Sequence, residues 1–137
     1  MRFLMTSITV SAFSVATIVA ASASSRQAER PSRAERAYDK LLAGKTVGSK
    51  ETCFNTQRSH PRLSAYGKKL IYWVGPKLIY VTETSGGCEG VSFGDTLITY
   101  PFKARLCRGD IAHTIGVPSG KPSGSCTIGN FVPYRSK

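Results

Sequence analysis

"KLIYWVGPKLIYVT", residues 69–82, is the stretch whose reading decides the fold. Two runs rich in β-branched and aromatic residues flank Gly75-Pro76. Gly takes positive φ without a steric penalty and Pro holds a fixed negative φ, so the pair suits a reversal between antiparallel strands. The word "KLIY" occurs at 69–72 and again at 77–80, which is the echo of one hairpin and not a repeat array. Further strands are predicted at 52–57, 91–93, 96–100, 102–107, 110–117 and 125–129. Gly- and Ser-rich turns separate them at "TSGGCEG" (84–90) and "PSGKPSGS" (118–125). Strands this closely spaced predict a mainly β fold, a small antiparallel β-barrel or sandwich.

One helix is expected ahead of the strands. Ser32 stands three residues before Glu35, the capping-box spacing in which each side chain satisfies a free amide of the first turn. Residues 33–43 place Ala34, Ala37, Tyr38, Leu41 and Leu42 on one stripe, and Gly44 provides a stop. Residues 24–31, "SSRQAERP", read as a polar leader. The opening residues 1–23 combine Arg2, an uncharged run over 3–20 and a small Ala21-Ser22-Ala23 site, the pattern of a cleaved secretory signal peptide. A membrane anchor is the rival reading of that run, but its Ser and Thr content and its small-residue end favour cleavage after Ala23. Residues 32–137 then form a single domain, exported to the periplasm or secreted, with no transmembrane segment in the mature chain.

Export changes how Cys53, Cys88, Cys107 and Cys126 are read. No Cys-x-x-Cys occurs, and neither His60 nor His113 stands at zinc-ligand spacing, so neither a metal nor any other cofactor is expected. An even cysteine count in an oxidising compartment predicts two disulfides, with three connectivities open. Adjacency of the first and last strands would favour Cys53–Cys126 with Cys88–Cys107. "GNFVPY" (129–134) is expected to break the Cys126 strand at Gly129 and Asn130, return Phe131 to the core and end pairing at Pro133.

Charge is lopsided, with 19 Lys and Arg against 8 Asp and Glu. Arg2 departs with the signal peptide, leaving 18 bases, all 8 acids and a net charge of +10. Such a field favours anionic partners, an envelope component or an acidic protein. Lys68, Lys69, Lys77, Arg105 and Arg108 are the candidate anion contacts. Tyr72, Trp73 and Tyr80 stand among three of those lysines, a pattern that could stack single-stranded nucleic acid, but aromatics are ordinary strand and core residues. No specific nucleic acid is expected.

Catalytic patterns are missing from the sequence. There is no Gly-x-Ser-x-Gly, His-Glu-x-x-His or phosphate-binding loop, and no obvious carboxylate pair. His113 alternates with Ile111, Ile115 and Val117, which places it on an apolar strand face as a partly buried histidine. The expectation is a non-enzymatic binding or accessory module. The alternatives are an inhibitor of an exported hydrolase and an enzyme centred on His113.

"YDKLLAGKTVG" (38–48), Cys53-Phe54, "YVTETSGGCEG" (80–90), "LCRGDI" (106–111) and "GSCTIGNFVPY" (124–134) together resemble a family of small exported four-cysteine proteins of Gram-negative bacteria, classed as a domain of unknown function. The resemblance spans residues 38–137 and implies an exported, disulfide-linked single domain of the bacterial envelope. It carries no activity, ligand or catalytic residue. In that family Leu-Cys-x-Gly-Asp is the recurring unit and the position of Arg108 varies. Arg108-Gly109-Asp110 therefore reads as a turn, with Gly109 and Asp110 structural, and not as an adhesion signal.

Overall fold

The computed structural model describes residues 32–57 and 61–137. The segments expected to be a signal peptide (1–23) and a polar leader (24–31), and His60, lie outside the described residues. The chain forms helix α1 (Arg33–Leu42) and then strands β1 (Thr46–Val47), β2 (Cys53–Asn55), β3 (Arg62–Tyr66), β4 (Lys69–Trp73) and β5 (Leu78–Gly86). A 3-10 helix (Glu89–Phe93) leads to β6 (Thr96–Thr99), β7 (Arg105–Cys107), β8 (Ile111–Ile115) and β9 (Pro122–Arg135). Seven strands make one antiparallel sheet, a curled half-barrel of order β3-β4-β5-β9-β8-β6 with β1 paired to β9. β2 and β7 pair apart from it as a short ribbon.

The quoted stretch is apolar on alternate and intervening positions because both of its faces are covered. Leu70 and Tyr72 point toward the ribbon, where they meet Phe54, Leu106, Ile128 and Phe131. Ile71, Ile79 and Val81 point the other way and receive Tyr38, Leu41 and Leu42 of α1. A strand buried on both sides reads as a continuous apolar run, whereas a strand with one wet face alternates. Helix, sheet and ribbon thus form three layers around two small cores.

The capping box closes as its spacing predicts. Ser32 Oγ accepts from the Glu35 amide at 3.1 Å, and the Ser32 amide donates to the Glu35 carboxylate at 2.5 Å. That backbone bond, followed by the Ser32 hydroxyl, holds the Glu35 carboxyl below its usual range. Its contribution is therefore present above the usual carboxylate pKa and fades as pH falls through the lowered value. Ser32→Ala should cost about 1 kcal/mol, the usual loss for a helix cap. Urea denaturation would measure that loss, and an NMR titration should find the Glu35 pKa raised only in part, because the Ser32 backbone amide still donates to it.

Several elements differ from the sequence reading. The disulfides are Cys53–Cys107 and Cys88–Cys126, not the pairing favoured by placing first and last strands together. β2 lies beside β7, with Cys53 directly opposite Cys107, while Cys126 sits mid-sheet opposite Gly86, two residues before Cys88. Residues 91–93 are not a strand; they belong to the 3-10 turn, which Gly94 ends at φ 105°. The strand expected over 102–107 shrinks to its last three residues. β3 was not anticipated, although Gly67 at φ 60° directly before the β4 run is the mark of its hairpin turn.

β9 also runs unbroken through Gly129 and on to Arg135, past Pro133. At Gly129 the β5 register shifts between Thr82 and Thr84, and a Cβ there would collide with the Glu83 carbonyl. Glycine permits a close backbone approach at a bulge, so it is no break. Pro133 stands opposite Tyr80, and its carbonyl accepts the Gly48 amide at 2.8 Å. Antiparallel alternation leaves every second amide free of a given neighbour, so a proline fits there.

Candidate functional site

Five basic residues were expected to contact anions, and the fold puts them at three places. Lys68 lies in the β3–β4 turn and Lys69 opens β4, with the Lys69 ammonium 4.2 Å from the Tyr38 ring centroid. Lys77 sits at the β4–β5 reversal, the opposite end of β4, roughly 16 Å away for five residues of strand. Arg105 opens β7 and Arg108 follows it, both exposed. Arg108-Gly109-Asp110 forms a tight turn. Gly109 adopts φ 93°, the Cys107 amide donates to Asp110 Oδ2 at 2.7 Å, and the Gly109 amide donates to Ile128 O at 2.9 Å.

Between the ribbon and the β4–β5 end of the sheet runs a cleft of about 460 Å³. Phe54, Val74 and Leu78 supply its apolar wall, and Glu51, Asn55, Tyr80 and Arg105 its polar groups. Position in the fold gathers these residues; of the apolar wall and polar groups the sequence singles out only Arg105, as an anion contact, and Tyr80, among the aromatics. Glu51 is pinned by reciprocal backbone bonds with Phe131, at 2.8 and 2.9 Å. The Tyr80 hydroxyl donates to Glu51 Oε1 at 3.4 Å. Burial first, and then the Glu51 carboxylate, push the Tyr80 phenol above its usual range, so at neutral pH it remains a donor and is no general base.

Among the described residues the lining thus offers one carboxylate, one guanidinium and a phenol. The arrangement can hold a ligand with an anionic group at Arg105. Among the described residues no group of three or more His, Cys, Asp or Glu could hold a metal ion.

His113 is exposed, not partly buried as its alternation with isoleucines suggested. On β8 the core side belongs to Ala112 and Thr114, while Ile111, His113 and Ile115 take the outer side. Tyr72 and Trp73 do not form a stacking platform. Tyr72 is buried against Phe54 and Phe131, and Trp73 donates from Nε1 to Ser64 Oγ at 3.1 Å with Arg62 lying over its ring.

Among the described residues no helix is long and apolar enough to cross a membrane. Two disulfides and that absence are compatible with an extracellular or periplasmic protein. Comparison with protein-family models, curated proteins and solved structures finds no match to this chain.

Proposed function

We propose that this chain is an exported, non-enzymatic binding module of the bacterial envelope, whose cationic surface engages an anionic envelope component. The charge excess carries the reading: eight acids can neutralise at most eight of the 18 bases left after Arg2, so a large positive field survives any internal pairing. Two disulfides close the scaffold that carries those charges. The cleft supports binding, with an apolar wall of Phe54, Val74 and Leu78 beside the Arg105 guanidinium. The signal-peptide pattern of residues 1–23 and the resemblance of residues 38–137 to exported four-cysteine proteins support the envelope as the place of action.

The test compares sedimentation of the oxidised protein with phosphatidylglycerol-containing vesicles and with neutral phosphatidylcholine vesicles. Anionic vesicles should bind it and neutral ones should not. Raising salt from about 0.01 M to about 1 M shortens the screening length from ~30 Å to ~3 Å, and binding should fall at least tenfold. Equal binding to both vesicle types, or none to the anionic ones at low salt, would sink the reading.

A further inference from the structure

In the segment "TYPFKAR", residues 99–105, strands are expected on either side of Pro101, but residues 100–104 are a turn and its approach. Phe102 and Arg105 form an isolated bridge, and the Arg105 amide donates to the Phe102 carbonyl at 3.0 Å. Between them Lys103 and Ala104 both hold positive φ, 47° and 59°. That is the backbone of a mirror-image hairpin turn, which Asn-Gly normally occupies because side chains other than Gly resist it. Neither residue here is Gly, so surrounding contacts must hold the turn. Thr56 supplies them: its amide and its hydroxyl both donate to the Ala104 carbonyl, at 2.9 and 3.0 Å. Thr56 follows β2, which Cys53–Cys107 ties to β7.

The braced turn displays apolar surface beside charge. Tyr100 is 76% exposed and Phe102 77% exposed, with only Pro101 between them. The Lys103 ammonium stands 5.3 Å from the Phe102 ring centroid, and the exposed Arg105 closes the turn. Phe93 is 88% exposed as well, but it precedes β6 whereas Tyr100 follows it, and no base neighbours it in sequence. The two aromatics with two bases are therefore a distinct patch.

Charge and area decide what fits it. A second copy would bring Lys103 and Arg105 toward another strongly positive chain, which like charges oppose. Two aromatic side chains offer roughly 300–500 Å², short of the ~800 Å² each partner gives to a stable protein interface. A bilayer with anionic headgroups has neither obstacle. Aromatic rings settle at the depth of the headgroups, and Lys or Arg beside them meet lipid phosphate. The geometry points to the 100–105 turn as a wedge that inserts Tyr100 and Phe102 into the headgroup region of an anionic membrane, with Lys103 and Arg105 on the phosphates. This rests on the anionic-envelope reading above and names lipid as the component.

Vesicle sedimentation with four proteins tests it: the wild type, Tyr100→Ser with Phe102→Ser, Lys103→Gln with Arg105→Gln, and Phe93→Ser. On phosphatidylglycerol-containing vesicles at low salt, the aromatic pair should lose at least tenfold in binding, the share of burying about one aromatic ring. The basic pair should lose about fivefold per charge. Phe93→Ser should bind as the wild type does. If every variant binds equally, the wedge is overturned while the envelope reading stands. If the wild type does not bind these vesicles, both fall. Phe102→Trp gives a readout independent of the serine variants' folding: its emission should shift to the blue on adding vesicles, and an unchanged spectrum overturns the wedge. Sedimentation velocity without lipid covers the remaining occupant. A dimer that the aromatic pair dissolves would make the patch a self-interface and overturn the proposal.

Discussion

Phe131→Ala should lower the free energy of unfolding by about 3–5 kcal/mol, the range for emptying a fully buried aromatic site. Phe131 has no exposed surface and sits mid-way along β9, the strand that pairs with β5, β8 and β1. Its ring centroid lies 5.6 Å from that of Phe54 and 6.0 Å from that of Tyr72, so it joins the ribbon layer to the sheet layer. The collapse that sometimes softens such losses is restricted here. Its backbone is bonded on both sides to Glu51, and Phe54 is held by a ribbon that a disulfide closes. Against a net stability of ~5–15 kcal/mol for a small domain, the loss is a large fraction of the whole. Urea denaturation at constant slope would measure it. A loss under about 1 kcal/mol would mean that Phe131 does not join the two layers.

How far the sequence reveals this molecule depends on where local pattern and packing agree. The 69–82 hairpin was legible because its residues form strands by propensity and Gly75-Pro76 interrupts them, although Gly75 itself takes no positive φ. The helix was legible because Ser32 and Glu35 mark its start chemically. β8 misled, for a physical reason. Its more apolar set, Ile111 and Ile115, faces outward, and its smaller set, Ala112 and Thr114, faces inward. The Cys88–Cys126 bridge fills that part of the interior: Ala112 is opposite Cys126, and Cys88 Sγ lies 4.0 Å from the Ala112 carbonyl. Only small side chains fit beside two sulfurs, so size outweighed hydropathy. The basic residues were visible as charges, but the fold alone places Lys68 and Lys77 in turns at opposite ends of β4 and Arg105 on the separate ribbon. Tyr100 and Phe102 looked like strand residues because Lys103-Ala104 carries none of the usual turn chemistry; the Thr56 bonds that hold it come from 48 residues away.

The same bridge carries the second large effect. Cys88→Ala with Cys126→Ala should destabilise the protein by about 6 kcal/mol, and Cys53→Ala with Cys107→Ala by about 4 kcal/mol. The two bridges span 38 and 54 residues of sequence. In the loop-entropy description those lengths differ by only ~0.3 kcal/mol, each contributing ~4 kcal/mol, and the longer loop is the one favoured. Chain entropy alone would therefore make the ribbon bridge marginally the more costly to remove. Packing reverses the order. Cys88 and Cys126 are 1% and 3% exposed and belong to the main core, so removing two sulfurs leaves a cavity costing about 1 kcal/mol for each. Cys53 and Cys107 are half-buried beside the cleft, where water and neighbouring side chains fill the space. The same difference in access sets the order of reduction, because a thiolate must reach a sulfur to exchange with it. Under limiting dithiothreitol, Cys53–Cys107 should open while Cys88–Cys126 persists, as mass spectrometry of alkylated peptides would record. Paired denaturation curves for the two double variants decide the energetic half. Equal losses, or a greater loss from the ribbon pair, would show that loop closure governs and that the buried sulfurs contribute no packing of their own.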